Sequence, residues 1–394
     1  MRMSRCAACR ILVGTVATLL ALACREQAIP RETDVDVPAI GSAPRADAPP
    51  VAGDAVRTPG LDEAGLLTLD SLGILVSYGL DESGGPDAVL QRPLDAAFSG
   101  EQVLVLDASA PWVRKFELGG RFDTAMVRRG EGPGEATQPY TLAAADDGFL
   151  MSHSRGVERF SSTGKLMTTV RDASPRGAAA VQCDGALLMT SEQSVEAPFI
   201  ISRALTRIGR DGAVSDTIAV HHSARVSTRL MWTWFADVRD GTLLFYTEEE
   251  DRSRLERRSC EGELLGELEL DSVGTGLVGR ATETGFVIST ARSPHPSGVA
   301  RVADRTLWAT RRITPDNDSI TMIEAFDPAG GKRRLAIDGW YQIFDADDEG
   351  RLLLGNSWTL GFNWLYGDAT GDIPAVFLVD GHALIAAIDA HGAP

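Results

Sequence analysis

The sequence predicts an all-β chain folded as a six-bladed β-propeller, and three observations lead there. Short apolar strands alternate with Asp-Gly turns along most of the chain. Two kinds of hairpin take turns and recur every few tens of residues, and no segment shows a helical period of useful length. Four short strands per unit, repeated about six times, are the sequence signature of radially repeated blades rather than of a two-sheet sandwich.

The first element does not belong to the fold. Arg2, Arg5 and Arg10 precede the apolar run ILVGTVATLLALA, which is too short to span a bilayer and ends in small residues and Cys24. Residues 1–23 therefore predict a secretory signal peptide. LLALAC resembles the bacterial lipobox, with Ala21 at the position usually held by Leu, and this implies acylation of Cys24 as the new N-terminus; simple secretion is the alternative. Residues 24–60, rich in Pro, Ala and Asp without apolar periodicity, predict a disordered tether. The folded domain is expected over 61–394.

Within that domain one hairpin recurs as FELGGRFDTAMV, FSSTGKLMTTV, IGRDGAVSDTIAV, RSCEGELLGELEL, FDPAGGKRRLAI and FLVDGHALIAAI. A second alternates with it, as DAAFSGEQVLVLD, LAAADDGFLMSHS, AAAVQCDGALLMTS, FADVRDGTLLFYT, ARVADRTLWATR and FDADDEGRLLLGN. Each joins period-2 strands through turn residues able to take positive φ. LDSLGILVSYG precedes the first full unit, so residues 66–78 are expected to close the ring by pairing with the last blade. ATETGFVISTA leaves seven blades as the alternative.

VRRGEGPGEATQPYTLA, preceded by VRKFELGGRF, resembles the bacterial six-bladed propellers related to NHL repeats, in which a Gly-rich link of the form G-x-G-P-G-E joins blades. The resemblance implies the propeller fold and a secreted or lipidated setting, and brings no catalytic residues with it. The glycines do not read as a phosphate loop. Glu131 and Glu135 are acidic, Pro133 has no N–H, and a strand rather than a helix follows.

In a blade of strands a to d, the a–b and c–d turns share one face of the disc; the b–c turns and the d-to-a links share the other. The DG turns crowd the first face. The long segments 130–139, 221–233, 247–253 and 356–374 are expected together on the second, as the candidate binding face. Its candidate residues are His221, His222, Arg225, Arg229, Trp232, Trp358 and Trp364, with Trp234 beside them. Exposed aromatics suit a protein, peptide or sugar surface, and the arginines suit a carboxylate; blade packing and surface ion pairs are the competing roles.

Composition sets limits. The chain carries −17, and without the leader's three arginines about −20, with 35 basic against 55 acidic residues. Such a surface disfavours nucleic acid and anionic lipid, leaving the lipid anchor as the membrane contact. No nucleophile elbow or other catalytic motif is present. His153, His295, His382 and His391 lack metal-ligand spacing and read as solvated loop residues, and the acidic runs 248–251 and 314–319 lack the alternation of a calcium loop. Cys183 and Cys260 are the only pair left for a disulfide. They are expected to stay apart, one in an inner a–b turn and the other in an outer c–d turn, because a bond needs Cα atoms within about 7 Å.

The expected function is that of a non-enzymatic cell-envelope lipoprotein, monomeric and without a cofactor, binding a protein, peptide or glycan. The alternative is a metal-dependent hydrolase, lactonase-like, or a lyase, holding Ca²⁺ or another divalent ion in the central channel. For it Asp95, Asp146, Asp237 and Asp345, near inner strands, are the candidates, although most read as preceding turns rather than lining a channel.

Overall fold

In a computed structural model the protein is described over residues 59–394, apart from 154–155, 171–178, 197–199, 209–213, 224–235, 250–251, 271–276, 283–284, 291–294, 314–318 and 357–373. The strand β1 (Ile74–Tyr78) comes first, after a 3-10 turn at Asp70–Leu72. Blade 1 follows as β2 (Pro93–Ser99), β3 (Gln102–Asp107), β4 (Val113–Glu117) and β5 (Phe122–Met126). Blade 2 is β6 (Pro139–Ala145), β7 (Gly148–His153), β8 (Gly156–Ser161) and β9 (Leu166–Val170). Blade 3 is β10 (Ala179–Cys183), β11 (Ala186–Glu196), β12 (Ile200–Ile208) and β13 (Val214–Ser223). Blade 4 is β14 (Ala236–Arg239), β15 (Thr242–Glu249), β16 (Arg252–Ser259) and β17 (Leu264–Leu270).

The hairpin β18 (Leu277–Thr282) and β19 (Gly285–Thr290) stands as a separate two-stranded sheet, so the segment that left seven blades open is an insertion between blades. Blade 5 is β20 (His295–Val302), β21 (Arg305–Ile313), β22 (Ser319–Phe326) and β23 (Lys332–Asp338). Blade 6 is β24 (Gln342–Ala346), β25 (Arg351–Gly355) and β26 (Val376–Asp380), and its fourth strand is β1, antiparallel to β26. The inner strands contact one another in the order β2, β6, β10, β14, β20, β24 and back to β2, so the ring of six is closed.

The core explains why the second strands read as unbroken apolar runs. There are six buried clusters in the described residues, one for each junction between neighbouring blades. A strand sends alternate side chains to opposite faces. Val103 and Val105 of β3 accordingly pack toward blade 6, and Leu104 and Leu106 toward blade 2. On β15, Leu243 and Phe245 face blade 3 while Leu244 and Tyr246 face blade 5. The outermost strand β17, by contrast, leaves Leu264 and Leu265 exposed.

Two sequence expectations are corrected here. FLVDGHALIAAI is not a hairpin: β26 ends at Asp380 and the helix α1 (Gly381–His391) follows. Asp380 is its N-cap, accepting hydrogen bonds from His382 N (2.8 Å) and Ala383 N (3.2 Å). Ala383, Leu384, Ala387 and Ile388 are buried, and Leu384, Ala387 and Ile388 complete the blade 5–6 core with Leu67, Leu69 and Leu72.

The second correction concerns the cysteines. Cys183 and Cys260 form a disulfide across blades 3 and 4, with Cα atoms 5.5 Å apart. The outer turn of blade 4 folds back over the blade junction. Cys260 N bonds Gly241 O of its own a–b turn, its carbonyl accepts from Arg207 on β12, and both cysteines are buried in the shared cluster. Equal radius is therefore not required for the two turns to meet.

Candidate functional site

The two faces of the disc differ as their connections require. The a–b turns occupy 100–101, 146–147, 184–185, 240–241, 303–304 and 347–350. The opposite side holds the d-to-a links and the b–c turns, and among the described residues these are the links 79–92, 127–138 and 339–341 and the turn 108–112. By the strand bounds only one of the six b–c connections, that between Gly355 and Val376, is long, so the long connections on this side are mainly d-to-a links.

The link 127–138 is the best-described part of this face. Gly130 N bonds Ala136 O, Ala136 N bonds Arg128 O and Glu135 N bonds Gly132 O. The Glu135 carboxylate folds back to accept from Gly132 N at 3.0 Å, and Trp112 Nε1 donates to Ala136 O at 2.8 Å. The amides that a phosphate would need are thus spent inside the link, and a carboxylate already occupies their concave side. Gly134 takes φ of 75°, where glycine is unstrained; Val127 and Gln138 at the two ends take 61° and 53°, where a β-branched residue is an outlier.

The neighbouring link is pinned from below. Buried Asp107 accepts from Gln91 N (2.7 Å), Arg92 N (3.2 Å) and Ser109 N (2.7 Å). Buried Arg114 lies 3.7 Å from Asp107 and donates to the carbonyls of Asp87, Ser109 and Pro111. This network holds the link 79–92 against the turn 108–112.

The sequence-predicted residues divide. His221 and His222 are not in a loop but in β13, in register with Arg203 and Ser202. Arg225, Arg229, Trp232, Trp234, Trp358 and Trp364 lie outside the described residues, as does Cys24. The base of the segment holding Trp358 and Trp364 is closed by Ala375 N donating to Asn356 Oδ1 at 2.8 Å and Asn356 N to Ala375 O at 3.3 Å. Glu248 and Glu249 belong to β15, so the acidic run is strand up to that point. His153 is buried rather than solvated, with Nε2 3.6 Å from Glu158 Oε2; His382 and His391 are exposed on α1.

Along the axis the structure corrects the placement of the aspartates. Asp95, Asp237 and Asp345 sit within the inner strands β2, β14 and β24, not ahead of turns, whereas Asp146 follows β6 in a turn and pairs with Gln182. Each inner-strand carboxylate reaches the next blade. Asp345 accepts from Phe98 N and Asp95 from Leu142 N, both at 2.8 Å, and Asp237 accepts from Arg301 N at 2.5 Å. The second oxygen is taken as well, by Ala346 N, Ala96 N and the Arg301 guanidinium respectively. Arg239 then spans from blade 4 to blade 6, donating to Ala346 O at 2.8 Å with Asp348 at 3.4 Å.

Burial pushes the Asp95 carboxyl up to about 8, against the Leu142 and Ala96 amides that pull it down and with the Asp345 charge adding to the rise. Burial likewise raises Asp345 to about 7, opposed by Phe98 N and assisted by Asp237. These residues act first as inter-blade latches. Among the described residues no group of three or more His, Cys, Asp or Glu is arranged to hold a metal ion. Sequence did offer a signal for the latches: Asp recurs amid apolar neighbours in PLDAAF, FADVR and IFDAD, which solvated turns do not require.

No protein-family model and no curated protein matches the chain. Solved structures do. A protein of Bacteroides fragilis described as exported is 11% identical, with 77% of this chain and 93% of that chain covered at a TM-score of 0.48. AztD from Citrobacter koseri is 11% identical over 67% and 70%, at 0.36. An acylaminoacyl peptidase of Pyrococcus horikoshii is 11% identical over 75% of this chain at 0.36, and this chain spans 53% of it. The blade order and closing strand, read from this chain itself, make it a six-bladed β-propeller.

Proposed function

We propose that the protein is an exported cell-envelope lipoprotein of the NHL-related propeller kind, acylated at Cys24, that binds a protein, peptide or glycan partner through its link face and has no chemistry of its own. One observation carries the binding reading: the longest connections join strand ends on one side of a closed ring, whereas the short a–b and c–d turns and α1 occupy the other. Loops positioned by a stiff scaffold are where recognition residues concentrate. On this reading Arg225, Arg229, Trp232, Trp358 and Trp364 contribute the contacts, with His221 and His222 at their margin.

Export draws support from chemistry independent of the leader. A buried disulfide between blades persists in an oxidising compartment and is rare in a reducing one. The doubly engaged carboxylates favour a structural ring axis over a channel ion.

The test replaces 224–235 and 357–373 by short Gly-Ser linkers and compares cross-linked partners in the cell envelope. The variant should keep its melting temperature and lose the partner; undiminished capture would end the proposal. Metal analysis with melting in EDTA covers the other reading. Stoichiometric metal and a large fall in Tm would replace binding by the metal-dependent hydrolase or lyase. For the anchor, Cys24→Ser should release the protein from membranes.

A further inference from the structure

Among the described residues, five Lys or Arg side chains are exposed and make no ion pair or side-chain hydrogen bond: Arg92, Arg128, Arg129, Lys165 and Arg257. On a chain of net charge −17, unpaired cations are the exception. Three of the five share one place. Arg92 ends the link into β2, and Arg128 and Arg129 begin the link out of β5. The turn 108–112 lies between them, with Ala108 N bonded to Arg92 O and Trp112 N to Val127 O, so the three line the link side of blade 1 as one patch about 14 Å across by strand spacing, within the reach of a short extended segment.

The backbone beneath the patch is held firmly. Asp107 fixes Arg92 N, Arg128 O accepts from Ala136 N, and Arg129 bridges Ala136. Val127, immediately before the arginine pair, is kept at φ 61°. A β-branched residue in that region is strained, and such strain persists where the surroundings over-determine it and clusters at functional sites. What this rigidity presents is three guanidinium groups, whose planar forks match carboxylates two bonds at a time.

Resting on the link-face reading above, we infer that Arg92, Arg128 and Arg129 dock a short, carboxylate-bearing segment of a partner polypeptide. Charge selects this partner over a long polyanion. Screening confines the attraction of the patch to about 8–10 Å. A nucleic acid, an acidic polysaccharide or an anionic bilayer extends beyond that range and meets the acidic remainder of the surface. An acidic peptide segment touches only the patch. Lys165 sits in a turn packed against Met126 and Gly134 and so borders the link, whereas Arg257, within β16 of blade 4, belongs to another part of the molecule and serves as the control.

The experiment is fluorescence anisotropy at low ionic strength with a labelled peptide of alternating Glu and Ser, against the same peptide with Gln for Glu. The wild type should bind only the Glu peptide, and added salt should weaken binding. The triple variant Arg92→Ala, Arg128→Ala, Arg129→Ala should bind about tenfold more weakly or worse, as expected from losing three exposed ion pairs, with unchanged melting. Arg257→Ala should bind as the wild type does. Equal binding by the triple and control variants, or none by the wild type, overturns the inference. In a parallel arm, the triple variant is tested for the cross-linked envelope partner; full capture there refutes the carboxylate chemistry while leaving the link face intact.

Discussion

Asp345 shows what one side chain does for this fold. Its two oxygens accept Phe98 N of blade 1 and Ala346 N of its own strand, joining the last blade to the first. Its carboxyl, and that of Asp95, titrate well above the ordinary carboxylate range. The folded state therefore keeps protons that the unfolded chain releases. This contribution to stability is complete below about pH 4 and is lost as pH rises through about 7 to 8. Tm should fall between pH 5 and 9, and Asp345→Asn should flatten that profile; an unchanged slope in the variant would exclude Asp345 as its source. At Asp237 the effect is one of pairing. Asp237→Ala orphans Arg301 N and removes the counter-charge of the Arg301 guanidinium, which keeps its bonds to Thr242 and to Arg239 O, and should cost about 1–3 kcal/mol in denaturant unfolding. The recurrence of these aspartates was legible in the sequence, but their role was not: an Asp in a short strand looks the same whether it faces solvent or the next blade.

Elements were legible wherever short apolar strands, alternating or unbroken, met a turn residue, and the twelve strands of the inner hairpins all fall where those segments stand. The pattern failed at VDGHALIAAI, where Gly381 opens a helix instead of turning a hairpin. An apolar run this short satisfies both periods, and the competing vote came from five earlier DG-type turns. What decides the outcome is tertiary. The outer strand of blade 6 is already supplied by β1, so the chain leaving β26 has no ladder to join and covers the blade 5–6 core. Leu384→Ala, at a fully buried site, should cost about 2–5 kcal/mol. Asp380→Ala, which removes only the cap, should cost about 1 kcal/mol. Both are read from denaturant midpoints, and a reversed order would mean that the helix is held by its cap rather than by its packing.

For the whole molecule, the propeller followed from repeat spacing, since each blade can bury its faces only against neighbours, while six blades rather than seven rested on assigning 66–78 to a closing strand that leaves no open edge. The disulfide did not follow, because radius in a blade is not a property of local sequence, and the fold-back of the blade 4 turn is set by Arg207 and Gly241 from elsewhere. Cys183 and Cys260 are separated by 77 residues. Chain-entropy reasoning gives such a crosslink about 4 kcal/mol. The double Cys→Ser variant should unfold earlier in denaturant by that order, and reductant should lower the wild type to match it; insensitivity to reductant would mean that the bond adds nothing to the fold.

The chain entering the ring meets blade 5 before it reaches blade 6. Leu67 lies in register with Ile337, with Leu67 N bonded to Ala336 O and Asp338 N to Leu67 O, and Ala393 at the other terminus bonds Arg334 on the same strand. A mechanical load applied ahead of Pro59 is therefore taken up by β23 before it is felt by β1. The seam that completes the circle is spared the first tug, and a domain held by its leading end can be pulled without being unzipped.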